Sequence, residues 1–203
     1  MSRMSDKEIL NSIEDLLKQR NEGCCETDNS AVGKIELSSI TPGSTFLGGR
    51  FVVLDHKDGA TLVRDVIERT DRIFDEDSPD WKESGLRKYL NDEVLHEYED
   101  LFGVENIVEA ETDLTTVDGQ TCFGTCQDKV RLLTFEERRM YQNLYKHSGE
   151  WEWTVTQWST KERGWEYGVC VVSPGGCVNY YRCDYFNAVR PFVSLKSNIF
   201  VSR

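Results

Sequence analysis

Seven residues within nine positions, Asn179, Tyr180, Tyr181, Arg182, Asp184, Tyr185 and Asn187, bring together the side chains best suited to non-covalent recognition. Tyrosine offers a large rigid face at small entropic cost, while Asn, Asp and Arg add orienting hydrogen bonds. The same set would serve a solvent-washed β-hairpin in an aromatic-rich chain, so residue types alone leave two readings open. Covalent chemistry has less to work with. No G-x-S-x-G, H-E-x-x-H, Walker or dinucleotide glycine motif occurs, and no catalytic residue is assigned. The seven cysteines are an odd number without an export signal, which argues for reduced thiols serving as small buried hydrophobes. Cys122 and Cys126 form a C-x3-C pair, Cys24 and Cys25 are adjacent, and Cys170, Cys177 and Cys183 are scattered through strand-like sequence. None of these spacings is that of a zinc site, His56, His96 and His147 stand apart from them, and no calcium loop of the D-x-D-x-D-G kind is present. No metal and no cofactor are expected.

Charge narrows the partners. The net charge of −12 resides in residues 65–113, where 17 acidic face 5 basic side chains, and the remainder is balanced. Nucleic-acid binding needs a basic stripe, and this chain has none. The acidic segment reads as a solvated, solubilising face. No apolar run approaches the roughly 18–20 residues of a bilayer span, so no membrane insertion is expected. The first residues, MSRMSDKEIL, lack an apolar signal-peptide core, and cytoplasmic synthesis without a signal peptide is the corresponding expectation.

The elements that must position the Tyr-rich run follow from periodicity. Residues 1–20 hold an amphipathic helix, with Ile9, Leu10, Ile13, Leu16 and Leu17 on one stripe. It is short enough to want a partner, either its own domain or further copies of itself in a homo-oligomer. Residues 21–44, polar and rich in Gly, Ser and Asn at their start, read as a linker, and residues 45–203 as one domain. Within that domain FVVLD, a Lys57-Asp58-Gly59 turn and ATLVRDVI predict a hairpin. Leu86, Tyr89 and Leu90 predict a helix over 81–91 with Asn91 as its stop, and a second helix follows over 93–102. Residues 105–110 read as a strand, 112–127 as a loop, and 128–133 as a short strand. Thr134 with Glu137 forms a capping box that opens a helix to about Leu144. From Trp151 onward the pattern is β, with WEWTVTQW alternating and Pro174-Gly175-Gly176 turning the chain. Hairpin, helices, strand, helix and many short strands define an α+β domain.

The ordered set FVVLD, W81-x-x-S84-x-L86-R87-x-Y89-L90-N91, D128-K129-V130-x-L132-L133-T134-x-x-E137, W153-T154-V155-T156 and V189-R190-P191-F192 resembles a bacterial and phage domain family across about 45–195. That family is a branch of the C-type lectin fold that also holds formylglycine-generating-enzyme-like domains and the variable proteins of diversity-generating retroelements. The resemblance implies a C-type lectin-like fold of short strands and two to three helices, preceded by the N-terminal helix, whose last strands present a ligand-binding face. It also implies a route to variation, in which adenine mutagenesis of Asn codons yields many residues but never Trp, Gln, Lys, Glu or Met. Those five types supply 43 of the 203 residues and none of the 29 from 167 to 195. Strands exclude Lys and Glu on their own account, which offers a second reason for the gap.

On this reading the protein is a non-catalytic display module that binds a protein or glycan ligand on another cell or particle. The expected ligand-binding residues are Trp158, Trp165, Tyr167, Asn179, Tyr180, Tyr181, Arg182, Cys183, Asp184, Tyr185 and Asn187, with Phe186 and Val178 turned inward by strand alternation. The N-terminal helix would attach or oligomerise it, as on a phage tail tip, so that it is virion-associated. Two alternatives stand beside this: a structural virion or assembly part that uses the Tyr-rich face as a subunit interface, and a formylglycine-generating-type oxidase built on Cys177 and Cys183.

Overall fold

A computed structural model describes residues 33–144 and 149–203. The helix read at 1–20 and the stretch 21–32 lie outside the described residues. Residues 34–203 form one compact unit, a mixed α and β structure made mostly of sheet around one main helix. The strands in chain order are β1 (Lys34–Glu36), β2 (Thr45–Phe46), β3 (Phe51–Lys57), β4 (Ala60–Asp65) and β5 (Arg69–Arg72). The main helix α1 (85–102) follows, then β6 (Ile107–Val108), β7 (Ala110–Asp113), β8 (Thr125–Asp128) and β9 (Val130–Arg131). A short helix α2 (Phe135–Met140) leads to β10 (Glu152–Gln157), β11 (Gly168–Val172), β12 (Val178–Arg182), β13 (Asn187–Val189), β14 (Phe192–Lys196) and β15 (Phe200–Ser202).

Two larger sheets carry the architecture. One runs β12-β11-β10-β13-β5, with β10 and β13 parallel, and the other runs β2-β3-β4-β14-β6, with β9 also on β14. Pro191 lies between β13 and β14, where the chain leaves the first sheet for the second. Proline has no N–H to give a ladder, which suits it to such a transfer point. The expected β3–β4 hairpin forms with Asp58 and Gly59 both at positive φ (51° and 78°), the geometry of a primed turn. The region read as a loop over 112–127 contains the β7–β8 pair. The residues after the V-R-P strand are ordered too, since β15 pairs antiparallel with β1. That pairing corrects the linker boundary: Leu37 and Ile40 are buried, so the domain starts near residue 34 and not at 45.

The motifs that seemed separate along the chain interlock in space. Ser84 caps α1 by accepting from the Arg87 N–H (3.1 Å) and donates to the Trp81 carbonyl (3.0 Å). Trp81 Nε1 donates to Asp128 Oδ2 (2.8 Å) and Arg87 Nε to Asp128 Oδ1 (2.6 Å). Asn91 is not a helix stop. Its Nδ2 donates to the Val130 carbonyl (2.8 Å) while its Oδ1 accepts from the Lys129 and Val130 amides. The helix passes it through a π turn, Leu90–Val94, and runs on to Phe102, so the two expected helices are one of 18 residues. Polar positions of the W-x-x-S-x-L-R-x-Y-L-N stretch therefore serve the D-K-V stretch, and Leu86 and Leu90 fill the core.

The Thr134–Glu137 capping box is present, but α2 stops at Met140. Burial disfavours charge on Glu137, yet the paired hydrogen bonds from Arg131 (2.6 Å each) outweigh it and hold the carboxyl below its ordinary range. Opposite α2 lies β10. Its Trp153 and Val155 enter the core, and its Glu152, Thr154 and Thr156 meet α2 and neighbouring strands instead of solvent. Glu152 is the knot: Arg138 Nη2 of α2 lies 2.9 Å from its Oε1, and Arg190 Nε lies 2.9 Å from its Oε2. Arg190 also reaches Glu68 at 2.7 Å. Part of the acidic segment is likewise structural, since fully buried Asp65 accepts from Arg50 (3.0 Å) and the Tyr98 hydroxyl (3.0 Å).

Candidate functional site

β12 is the outermost strand of its sheet, and its register on β11 sets Tyr180 against Cys170 and Tyr181 against Val169. Successive side chains point to opposite faces, so the tyrosine pair divides between two surfaces. On one, Tyr180 packs edge-on to Trp165 (centroids 4.5 Å, 77°) and tilted on Trp158 (5.3 Å), with the two tryptophans 6.1 Å apart. The chain brings them there through a short turn at Lys161–Arg163 and the close approach of Gly168, where a Cβ would sit 3.2 Å from the Trp158 Cβ. Arg182 lies on the same surface, its guanidinium 4.4 Å from the Tyr167 ring centre. It makes two 3.1 Å hydrogen bonds to Asp184, which hold that exposed carboxyl below its ordinary range. The result is a platform of three rings and a guanidinium stacked on a fourth, with a carboxylate beside it.

On the other surface Tyr181 packs against Trp151 (5.0 Å) and Tyr185 (5.9 Å), and beside them opens a hollow of about 370 Å³. Trp151 was not among the expected residues. Its spacing from Trp153 and Val155 in the alternating WEWTV run carried the signal, because that period places all three on one side of β10's line.

The structure brings most of the expected residues together and removes two. Trp158, Trp165, Tyr167, Tyr180, Arg182 and Asp184 share the platform, while Tyr181 and Tyr185 share the opposite surface. Asn179 is exposed, but its Oδ1 accepts from the Tyr180 N–H (2.9 Å), closing a donor on the sheet edge. Cys183 is fully buried and belongs to the core. Asn187, 6% exposed, lies in β13 between β10 and β5 and is a frame residue with one edge on the hollow. The inward assignments of Val178 and Phe186 are also overturned, since these side chains are 41% and 68% exposed. Alternation cannot be carried from β12 through the turn at 183–186, and an edge strand leaves both of its faces open.

Nucleophilic chemistry finds little support in the thiols. Burial pushes Cys170 up to about 12 and Cys183 up to about 11, away from the thiolate that reaction requires. All five cysteines among the described residues are free. Among the described residues no group of three or more His, Cys, Asp or Glu is placed to hold a metal ion, and no helix is long and apolar enough to cross a membrane. Comparison with protein-family models, curated proteins and solved structures returns no match to the chain.

Proposed function

We propose that this chain is a non-catalytic ligand-binding display protein with a C-type lectin-like fold, and that its ligand is a protein or glycan on another cell or particle. The observation that carries the reading is the contrast within one sheet: Tyr180, Arg182 and the Trp158–Trp165 pair are presented at the open edge, while every residue of β10 and β11 behind them is buried. Exposed Tyr180 and the half-buried Trp158 and Trp165, held in contact with one another, lose little freedom on binding, and the Arg182–Asp184 pair supplies orientation. The resemblance to variable proteins of diversity-generating retroelements adds a mechanism of change, and a phage receptor-binding or tail-associated role would use it. Of the 29 residues from 167 to 195, 15 are buried, so useful variation would concentrate in the exposed and half-buried stretches 177–182 and 184–186. The burial also accounts physically for much of the absence of Lys and Glu from the rest of that segment.

Two experiments test this. Fluorescently labelled protein applied to a glycan array and to intact bacterial cells should bind a restricted set of targets, and the Tyr180→Ala/Trp165→Ala variant should lose that binding with little change in its unfolding midpoint. Loss of a native oligomer in the variant, with no target binding by either protein, would instead make the platform a subunit interface. For diversification, the coding DNA of 167–195 should have a near-identical second copy, with adenines at the varied codons, beside a reverse-transcriptase gene; a genome lacking such a copy ends that part of the proposal.

A further inference from the structure

The two tryptophans of the platform sit on a connection that strand pairing does not hold. The β10–β11 ladder ends with the Trp158 amide on the Gly168 carbonyl (2.9 Å), and residues 159–166 lie beyond it. Within that connection the Arg163 and Trp165 amides both donate to the Thr160 carbonyl (3.1 and 3.0 Å). These bonds close the turn on itself and leave its attachment to the domain to other contacts.

One attachment comes from the connection between β7 and β8. Asp118 accepts through Oδ2 from the Ser159 hydroxyl (2.7 Å) and from Arg163 Nη1 (3.3 Å). Ser159 adjoins Trp158, and Arg163 stands two positions before Trp165, so a single carboxylate grips the chain beside each ring. The contact with Ser159 is the stronger, because that residue is buried while Arg163 is exposed.

The carboxylate is itself held from behind. Its Oδ1 accepts from the Thr116 hydroxyl (2.6 Å), whose oxygen accepts in turn from the Gln120 amide (2.8 Å). Gly119, at φ 84°, lets the chain turn tightly enough for its amide to reach the Thr116 carbonyl (2.9 Å). The Val117 amide donates to the Gln157 carbonyl (3.0 Å), which fastens this turn to the end of β10. The hydroxyls of Thr116 and Ser159 hold the Asp118 carboxyl below its ordinary range, so it remains an acceptor through neutral pH. With its side chain 34% exposed, Asp118 adds little to the core.

We infer that Asp118 is a positioning residue of the recognition platform: through Ser159 and Arg163 it holds Trp158 and Trp165 against Tyr180 before a ligand arrives. The inference rests on the platform reading and adds the turn between β7 and β8 to that site. Without this clasp the two rings would be ordered only on binding, and the cost would appear as lost affinity.

The full chain labelled with 5-fluorotryptophan carries one fluorine at each of its five tryptophans, and Trp→Phe variants assign the signals. In Asp118→Ala the Trp158 and Trp165 signals should shift or broaden, while those of Trp81, Trp151 and Trp153 stay in place and the urea midpoint changes little. Ser159→Ala should reproduce the effect and Arg163→Ala should give a smaller one. The Asp118→Ala/Ser159→Ala pair should do no more than Asp118→Ala alone, since both remove one contact. On the same glycan array and intact bacterial cells, Asp118→Ala should bind the wild-type targets about tenfold more weakly, with Asp118→Asn between the two. Unmoved Trp158 and Trp165 signals, or unmoved affinity for targets that the wild-type protein binds, overturn the inference. So does a shift of all five signals with a large drop in the urea midpoint, which would make Asp118 a residue of the folded frame. Displaced Trp158 and Trp165 signals with no target bound by either protein would overturn the platform reading, and the binding role of Asp118 with it.

Discussion

β10 and β12 belong to one sheet, and each mixes aromatic, aliphatic and polar side chains along a few residues. Their fates differ completely. In β10 Trp153 and Val155 enter the core, Glu152 and Thr156 meet α2, Thr154 meets β11, and all six residues are buried. In β12 the strand has a neighbour on one side only, and the same residue classes face outward on both surfaces. Position in the sheet, more than composition, separates frame from display. Three polar residues of β10 stay inside with partners, Glu152 with two arginines, Thr154 with the Cys170 carbonyl at 2.9 Å and Thr156 with the Phe135 amide at 2.9 Å, while the buried Gln157 side-chain amide has no hydrogen-bond partner among the described residues. The tyrosines of β12 can stay at the surface because rings from other segments shield them, Trp158 and Trp165 at Tyr180 and Trp151 and Tyr185 at Tyr181.

The contrast breaks most directly at Glu152. Its replacement by alanine leaves Arg138 and Arg190 buried without their shared carboxylate, and should cost about 3–5 kcal/mol in urea unfolding. A loss below about 1 kcal/mol would mean that the β10 frame does not depend on this knot. An intermediate test uses the thiols, which the sheet sorts in the same way. Alkylation of the folded protein near pH 8 should modify exposed Cys177 and spare Cys170 and Cys183 until unfolding, as read by peptide mass mapping. Because burial keeps the Cys183 thiol neutral up to about 11, its contribution to stability is complete below the unfolded value of roughly 8.5 and fades as pH rises toward 11. Unfolding free energy measured from pH 8 to 11 should therefore fall, and fall less steeply in Cys183→Ala. The smallest effect is expected at the display edge, where Tyr180→Ala should change stability by about 1 kcal/mol or less through lost ring contacts. A larger loss would place Tyr180 with the frame.

Much of the frame was legible in the chain. The Asp58-Gly59 turn, the Thr134 capping box and the alternation of WEWTV were each written in a few adjacent residues, and each appears where local chemistry puts it. Asn91 was misread as a helix stop because its real partners, the backbone at 129 and 130, are 38 and 39 residues away. Of the eleven expected site residues, eight ring or charged side chains lie on the two surfaces of β12 and its flanks. The inward assignment of Phe186 failed because alternation was carried across a turn that resets it, whereas Cys183 and Asn187 were expected on the display face because they lie within the Tyr-rich run, where no local signal separates buried from exposed positions.

The sequence by itself determined which side chains were available for recognition and which short segments would turn, cap or alternate, because those preferences act over a few bonds. It could not determine which strand would be central and which would be an edge, because that depends on pairings between segments far apart in the chain. Only the tertiary structure decided that Tyr180 and Tyr181 serve different surfaces, that Phe186 lies exposed, and that Glu152 is hidden: a strand's exposure is set by its neighbours in the sheet, and its own residues do not name them.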